Sequence, residues 1–404
     1  MELTAEALLD DSIIQDPFPW YAELRDREPV FRVPGVDLAL VSTWDCVTEA
    51  VGRVEDFSNH LEAVVIRGAD GRPTLFDMGA RGEAIHTLAT ADPPTHTSHR
   101  KVVFPELVER QMAAMADDVR SVAGPLIDAV VATGGAEWCS AVSNPLPMTV
   151  LCKVLGLPID ELDQLLDWAF KGTELLAGTV DLGRMVELGD AASHAAGYLG
   201  ARLAEAMSAP GEDLLGAVAK GVLADTISPA EAVATLVILL GAGGESTTSL
   251  TGNAVRLLAE QPDLQRHLRD DPEAIGAFVE EVVRLESPFR GHYRRVARDC
   301  ELGGVELEEG TTVLLLWASA NRDPHHYERP DEVWLDRPVL KQHFGFGRGI
   351  HHCVGAPLAR LEARVLIEEL LARTTDVRLA ESPEPRYVSS MFVRRHDRLH
   401  VTVG

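Results

Sequence analysis

Three things are scarce in this sequence, and each shortage excludes something. Cysteine is rare: Cys46, Cys139, Cys152, Cys300 and Cys353 are the only five among 404 residues, an odd number with no CxxC pair. A disulfide framework or zinc ribbon is therefore not expected, and a reducing cytoplasm is. Basic residues are outnumbered, 37 Lys and Arg against 63 Asp and Glu, for a formal net charge of −26. Nucleic acid and anionic membrane surfaces select basic patches, so neither is an expected partner. Long apolar runs are missing too. The most apolar stretch, Val233–Leu240, is far shorter than the roughly 20 residues of a membrane span. The start, Met1-Glu2-Leu3-Thr4-Ala5-Glu6, lacks the basic and apolar regions of a signal peptide.

What remains is the composition of an ordinary globular protein, 46% apolar and 25% charged. A chain this long buries enough surface to need no covalent staple. No repeat, low-complexity tract or Ser/Gly linker divides it, and its patterns read as many helices with a few short strands. Asp16-Pro17-Phe18-Pro19 opens a helix carrying Trp20 and Leu24, and Leu38–Val41 reads as a strand. From Asn59 to Thr90 periodicity is poor, with Gly68, Gly71, Pro73, Gly79 and Gly82 interspersed. Loops of that length are usually functional or mobile.

Helical patterns resume after Pro94. The clearest begins at Ser228-Pro229-Ala230-Glu231, where Ser is the N-cap, Pro sits at the first helical position and Glu completes a capping box. Apolar residues then recur to about Glu260, predicting a helix of about 31 residues and roughly 47 Å. Its wide apolar circumference predicts a course through the interior. Gly241-Ala242-Gly243-Gly244 and Glu245-Ser246-Thr247-Thr248 break the pattern midway. Either the helix ends at Gly241 and restarts, or it opens locally to admit a ligand that the polar groups face.

The densest signal is Phe346-Gly347-Arg348-Gly349-Ile350-His351-His352-Cys353-Val354-Gly355, followed by a strong helical pattern with Leu358, Leu361, Val365 and Leu366 on one face. A cysteine just before a helix meets free N–H groups and the positive end of the dipole, both of which favour thiolate. Gly347, Gly349 and Gly355 let backbone approach a flat ligand. No second cluster supplies the further ligands that a zinc site at His351, His352 and Cys353 needs.

This run resembles the heme-binding signature of the cytochromes P-450 at every fixed position. The resemblance extends along nearly the whole chain, through Glu281-Val282-Val283-Arg284, Arg337, Ala320-Asn321-Arg322-Asp323-Pro324, Glu301-Leu302-Gly303-Gly304 and Asp92–Arg100. It is similar to bacterial soluble members, above all to a mycobacterial branch that shares Ala-Gly-Gly-Glu-Ser and the run Pro288–Arg294. The resemblance implies one heme domain over residues 1–404. The fold it implies is mainly α with small β-sheets, a triangular helical prism whose long central helix lies over a buried heme. The β-rich parts are expected near 30–60, 290–320 and 375–404.

It also implies residue roles. Cys353 donates thiolate to the iron of heme b, iron protoporphyrin IX, with Phe346 and Gly347 in the ligand loop and dioxygen as cosubstrate. His96, Arg100, Arg294 and His351 serve the propionates, with Arg295 a competitor for the place of Arg294. Glu281, Arg284 and Arg337 form a core cluster beneath the heme. Glu245 and Ser246 match an acid–alcohol pair that delivers protons. Serine stands where threonine is commonest, and Thr247 is expected to substitute only if the helix rotates. Ala242, Gly243, Phe289, Arg290, Met391 and Phe392 are expected at the substrate pocket, along with parts of 59–90 and 175–199. Arg290 and His292 suit a polar substrate handle, the propionates or a structural hydrogen bond.

The chain ends soon after the heme segment and shows no GxGxxG nucleotide fingerprint. A ferredoxin-type iron–sulfur protein with a flavoprotein reductase is the implied electron source. It is expected to dock near Arg100, Lys101, Arg110, Lys341, Arg348, Arg360 and Arg364. The implied reaction inserts one oxygen atom into a mostly apolar small molecule. The alternatives are a peroxide-driven hydroxylase or decarboxylase, and a heme sensor without turnover.

Overall fold

The computed structural model describes residues 2–79 and 85–404. Met1 and Gly82, both read in the sequence, lie outside the described residues. The long helix spans Pro229–Ala259 and begins as its sequence dictates. Ser228 Oγ accepts from the Glu231 N–H, and the Glu231 carboxylate accepts from the Ser228 N–H. It packs against Pro145–Leu155, Leu162–Glu174, Leu182–Ser208 and Ala356–Arg373, and the largest apolar cluster forms around these helices. By length and composition this helix could cross a membrane, but most of its apolar window is buried among the neighbouring helices.

The helix neither ends at Gly241 nor opens there; it runs unbroken through 31 residues. The glycines serve packing. A Cβ on Gly244 would lie 2.6 Å from Met148 Cε and 3.0 Å from Ala169 Cβ, and one on Gly243 would lie 3.1 Å from the Leu151 side chain. The propensity cost, up to ~1 kcal/mol per glycine, is offset by the close approach of two helices.

The principal sheet has five strands in the order Val30–Arg32, Leu38–Val41, Thr312–Leu315, His292–Val296, Phe57–Ser58. Its one parallel pairing joins Leu38–Val41 to Thr312–Leu315, in register Leu38 with Thr312. A second sheet joins Gly135–Glu137, His400–Val403 and Val377–Leu379. The irregular segment after Asn59 holds a hairpin, Ala63–Arg67 paired with Pro73–Asp77, turning through Gly71 at φ +82°. Its alternation was hidden because Val64, Val65 and Ile66 are all buried.

Buried ion clusters brace this frame. Glu281 accepts from Arg284 at 2.7 and 2.9 Å and from Arg337 at 3.0 and 3.2 Å, with all three side chains buried. Its Oε2 also accepts from the Trp334 N–H at 2.9 Å. An ordinary i,i+3 pair on a surface would contribute a few tenths of a kcal/mol. Here each charge is desolvated and depends on the others.

Candidate functional site

A cavity opens between the long helix and the segment around Cys353. It encloses about 1300 Å³, including its mouth. Ala242, Gly243, Ser246 and Thr247 form one wall, and Phe346, His351, Cys353, Gly355 and Leu358 the other. His96, Arg100, His292 and Trp317 close one end, while Leu88, Leu239, Leu250 and Phe289 add apolar surface.

The Cys353 loop is tightly built. The Cys353 N–H donates to Phe346 O at 2.8 Å, and the Gly347 N–H donates to Phe344 O at 2.7 Å. Gly347 takes φ +64°, which any larger residue disfavours. The helix Ala356–Arg373 begins directly afterwards with Pro357 in its first turn. The Gly355 and Ala356 N–H groups point at the Cys353 sulfur, as the helix start predicts. Yet burial outweighs them, together with Arg360 and Arg100, and pushes the thiol up. A cation bound at the sulfur would favour the thiolate further.

Behind the loop, Arg360 donates to Glu280 at 2.5 and 3.1 Å and lies 4.4 Å from the Phe346 ring centroid. His343 meets the same carboxylate at 2.9 Å. Burial opposes ionisation of Glu280, but His343 and Arg360 prevail and hold it at about 2.

The basic residues at the cavity's end make no salt bridge among the described residues. His96 and His351 lie 4.1 Å apart by ring centroid, and His351 Nε2 is buried without a hydrogen-bond partner among the described residues. Burial, then His96 and Arg294, push His351 down to about 3. Arg294 is buried on its strand, donates only to the neighbouring Tyr293 carbonyl at 2.7 Å, and has no carboxylate partner among the described residues. It stands just behind the residues that line the cavity. Arg295, its competitor, is engaged by Glu62 at 2.5 Å. Arg100 reaches the His352 carbonyl at 2.9 Å. A group of arginines and imidazoles that forms no salt bridge among the described residues fits a dianionic ligand such as a heme.

The acid and the alcohol of the long helix part company. Ser246 lines the cavity, its hydroxyl donating to Ala242 O at 2.5 Å. Thr247 lines the same cavity with no local rotation, so the two hydroxyl residues flank it together. Glu245 turns instead into a second, polar cavity with Glu174, Arg184, Arg386, Ser390 and Asp397. There Arg395 Nε donates to Oε1 at 2.7 Å, and the buried Oε2 is unpartnered. Burial pushes this carboxyl up to about 7 against the pull of Arg395.

Of the expected pocket residues, Ala242, Gly243 and Phe289 line the cavity. Phe392 stacks behind Phe289 at 4.8 Å. Arg290 and Met391 do not reach it. Arg290 donates to Ile14 O at 2.8 Å in the buried interior, which leaves the structural hydrogen bond as its role. Met391 packs against Gly178 in the second core cluster. Within 59–90 the lining comes from Leu88 and Ala89, and Leu214 lies there rather than any residue of 175–199.

The lining residues that the sequence reading did not assign include Trp317 and Glu362. Trp317 sits beside His292 at 4.9 Å. Glu362 is buried without a partner for Oε2, its carboxyl raised well above the usual range by burial. Its signal was available, since a glutamate between Leu361 and Val365 lies in the helix's apolar stripe.

Comparison with known proteins agrees with this geometry. The family model described as cytochrome P450 matches residues 213–403. Cytochrome P-450 144 of Mycobacterium tuberculosis is 41% identical over 390 residues, covering 96% of this chain and 89% of that protein. The mycinamicin IV hydroxylase/epoxidase of Micromonospora griseorubida is 33% identical, covering 93% and 92%. Among solved structures, a Bacillus megaterium cytochrome P-450 in complex with testosterone superposes with a TM-score of 0.86 at 27% identity, covering 97% and 99%. The protein is a heme-dependent monooxygenase by fold and by kinship. The chain belongs to the cytochrome P-450 family, and relatives in Mycobacterium tuberculosis lie on the branch that its oxygen-side motif indicates.

Proposed function

We propose that this protein inserts one atom of dioxygen into a C–H bond or alkene of a mostly apolar small molecule. The observation that carries this is the cavity itself, in which Cys353 and the Ser246–Thr247 pair stand on facing walls. Cys353 is the residue to bind the iron of heme b. His96, Arg100, Arg294 and His351 would meet its carboxylates. When bound, heme supplies the reductive activation of dioxygen.

The chain's own residues prepare the rest. Leu88, Leu239, Ala242 and Phe289 form an apolar end that exchanges water for a hydrophobic substrate. Ser246 Oγ and Thr247 Oγ1 offer hydroxyl protons inside the cavity. Glu245, its carboxyl raised to about 7, would exchange protons with the polar cavity on the other side of the same helix.

A cytoplasmic ferredoxin with a flavoprotein reductase is the proposed electron source. Lys101, Arg110 and Lys341 are exposed on the cysteine side of an acidic protein, where they steer an acidic partner. Arg360 is withdrawn from that patch by Glu280.

Screening small molecules for a shift of the heme Soret band, then assaying hits with surrogate redox partners, tests the proposal. Oxygenated product from an apolar hit supports it. Turnover of such hits with hydrogen peroxide alone, and none with reduced ferredoxin, contradicts the dioxygen reading.

A further inference from the structure

We infer that Trp317 and His292 are part of the carboxylate cradle for the heme, with the Trp317 indole N–H as a dedicated donor. The inference rests on the heme site above. Trp317 is more than nine-tenths buried, yet its Nε1 has no hydrogen-bond partner among the described residues. A tryptophan N–H can only donate, so it requires an acceptor. Both residues line the cavity at the end where His96 and His351 stand. The His292 ring lies 4.9 Å from the Trp317 ring, and His351 has its own unpartnered Nε2.

No acceptor for it stands among the described residues. Asp92, the acid that acts on both His96 and Arg294, accepts from the Ser58 hydroxyl and the Asn59 N–H and does not line the cavity. Backbone geometry pins the indole in place. Trp317 follows the strand Thr312–Leu315, whose register against His292–Val296 pairs Leu315 with His292. Its ring edge lies where a Cβ on Gly347 would be 3.6 Å away, so it is wedged between the sheet and the cysteine loop. A buried donor beside His292, in a cavity also lined by His96, Arg100 and His351, is what two carboxylates need and what an apolar ligand face does not.

The test uses the full-length protein reconstituted with heme or with heme dimethyl ester, whose carboxylates are masked. The rate of heme transfer to excess apomyoglobin is measured for wild type and Trp317→Phe, which keeps ring bulk and removes the donor. Trp317→Phe is expected to lose free-acid heme roughly tenfold faster, the size of one hydrogen bond to a charged group. The two proteins are expected to lose the diester at nearly equal rates. His292→Phe is expected to follow the same pattern more weakly. Equal free-acid rates for wild type and Trp317→Phe, or equal acceleration with both hemes, overturns the inference, the second outcome making Trp317 a packing residue. A wild type that takes up neither heme refutes the site reading instead.

Discussion

Glu245 and Ser246 are consecutive in sequence and face different cavities. Successive residues of a helix project about 100° apart, so adjacent side chains can serve two sides of one wall. Ser246 faces the cavity of Cys353, and Glu245 faces a polar cavity where Arg395 holds it at 2.7 Å. The long helix is thus a partition with one proton-bearing group on each side.

The raised carboxyl of Glu245 fixes a sign. Its pKa rises from an ordinary 4.5 to about 7 on folding, so the folded state binds the proton more tightly. Its contribution to stability is present below about 4.5 and lost as pH rises through about 7. The Tm of wild type relative to Glu245→Gln is expected to fall between pH 5 and 7.5 by this term. A difference curve that is flat, or that rises, contradicts the assignment.

On the proposed function, coupling is expected to depend on the hydroxyls. Ser246→Ala is expected to retain heme and substrate binding but to give several-fold less product per reducing equivalent. Thr247 shares the cavity, so Ser246→Ala/Thr247→Ala is expected to lose more than either change alone. Product formed per reduced nicotinamide consumed is the measurement, and unchanged coupling in the double variant removes both residues from proton delivery.

Stability depends on the buried carboxylate beneath the cysteine loop. Burial would raise the pKa of Glu281, but Arg284, Arg337 and the Trp334 N–H lower it. Glu281→Gln leaves two guanidinium groups buried without a charge partner and is expected to cost about 3–5 kcal/mol. Thermal or denaturant unfolding checks this. The wild-type contribution is present above the ordinary carboxylate pKa of about 4.5 and fades as pH falls below it.

Electron delivery separates two kinds of arginine and lysine. Lys101→Glu and Arg110→Glu are expected to weaken ferredoxin binding, with an effect that shrinks as salt increases. Arg360→Gln is expected to disturb the Cys353 loop instead, through Phe346 and Glu280. Reduction rates across a salt series, read beside the Soret spectrum of each variant, distinguish the two behaviours.

Much of this was legible in the residues. The cap at Ser228, the start of the long helix and its length followed from local chemistry, and the cysteine loop from glycine spacing. The Glu281–Arg284 pair was visible too, and the resemblance named Arg337 as its third member; local spacing alone does not encode a partner 56 residues from Glu281. Three features were not legible. The glycines at 243 and 244 answer to Leu151, Met148 and Ala169 on other helices, which no local pattern encodes. Arg290 and Met391 turn away from the cavity because strand register and core packing decide which face a side chain takes. The donor at Trp317 is meaningful only once the sheet brings it beside His292.

The most direct test of the whole account is the carbon monoxide difference spectrum of the reduced protein, wild type against Cys353→Ser. The wild type is expected to give the red-shifted Soret band of a thiolate-ligated heme, and Cys353→Ser to lose it. A variant that keeps this band, or a wild type that binds heme without ever showing it, contradicts the assignment of Cys353.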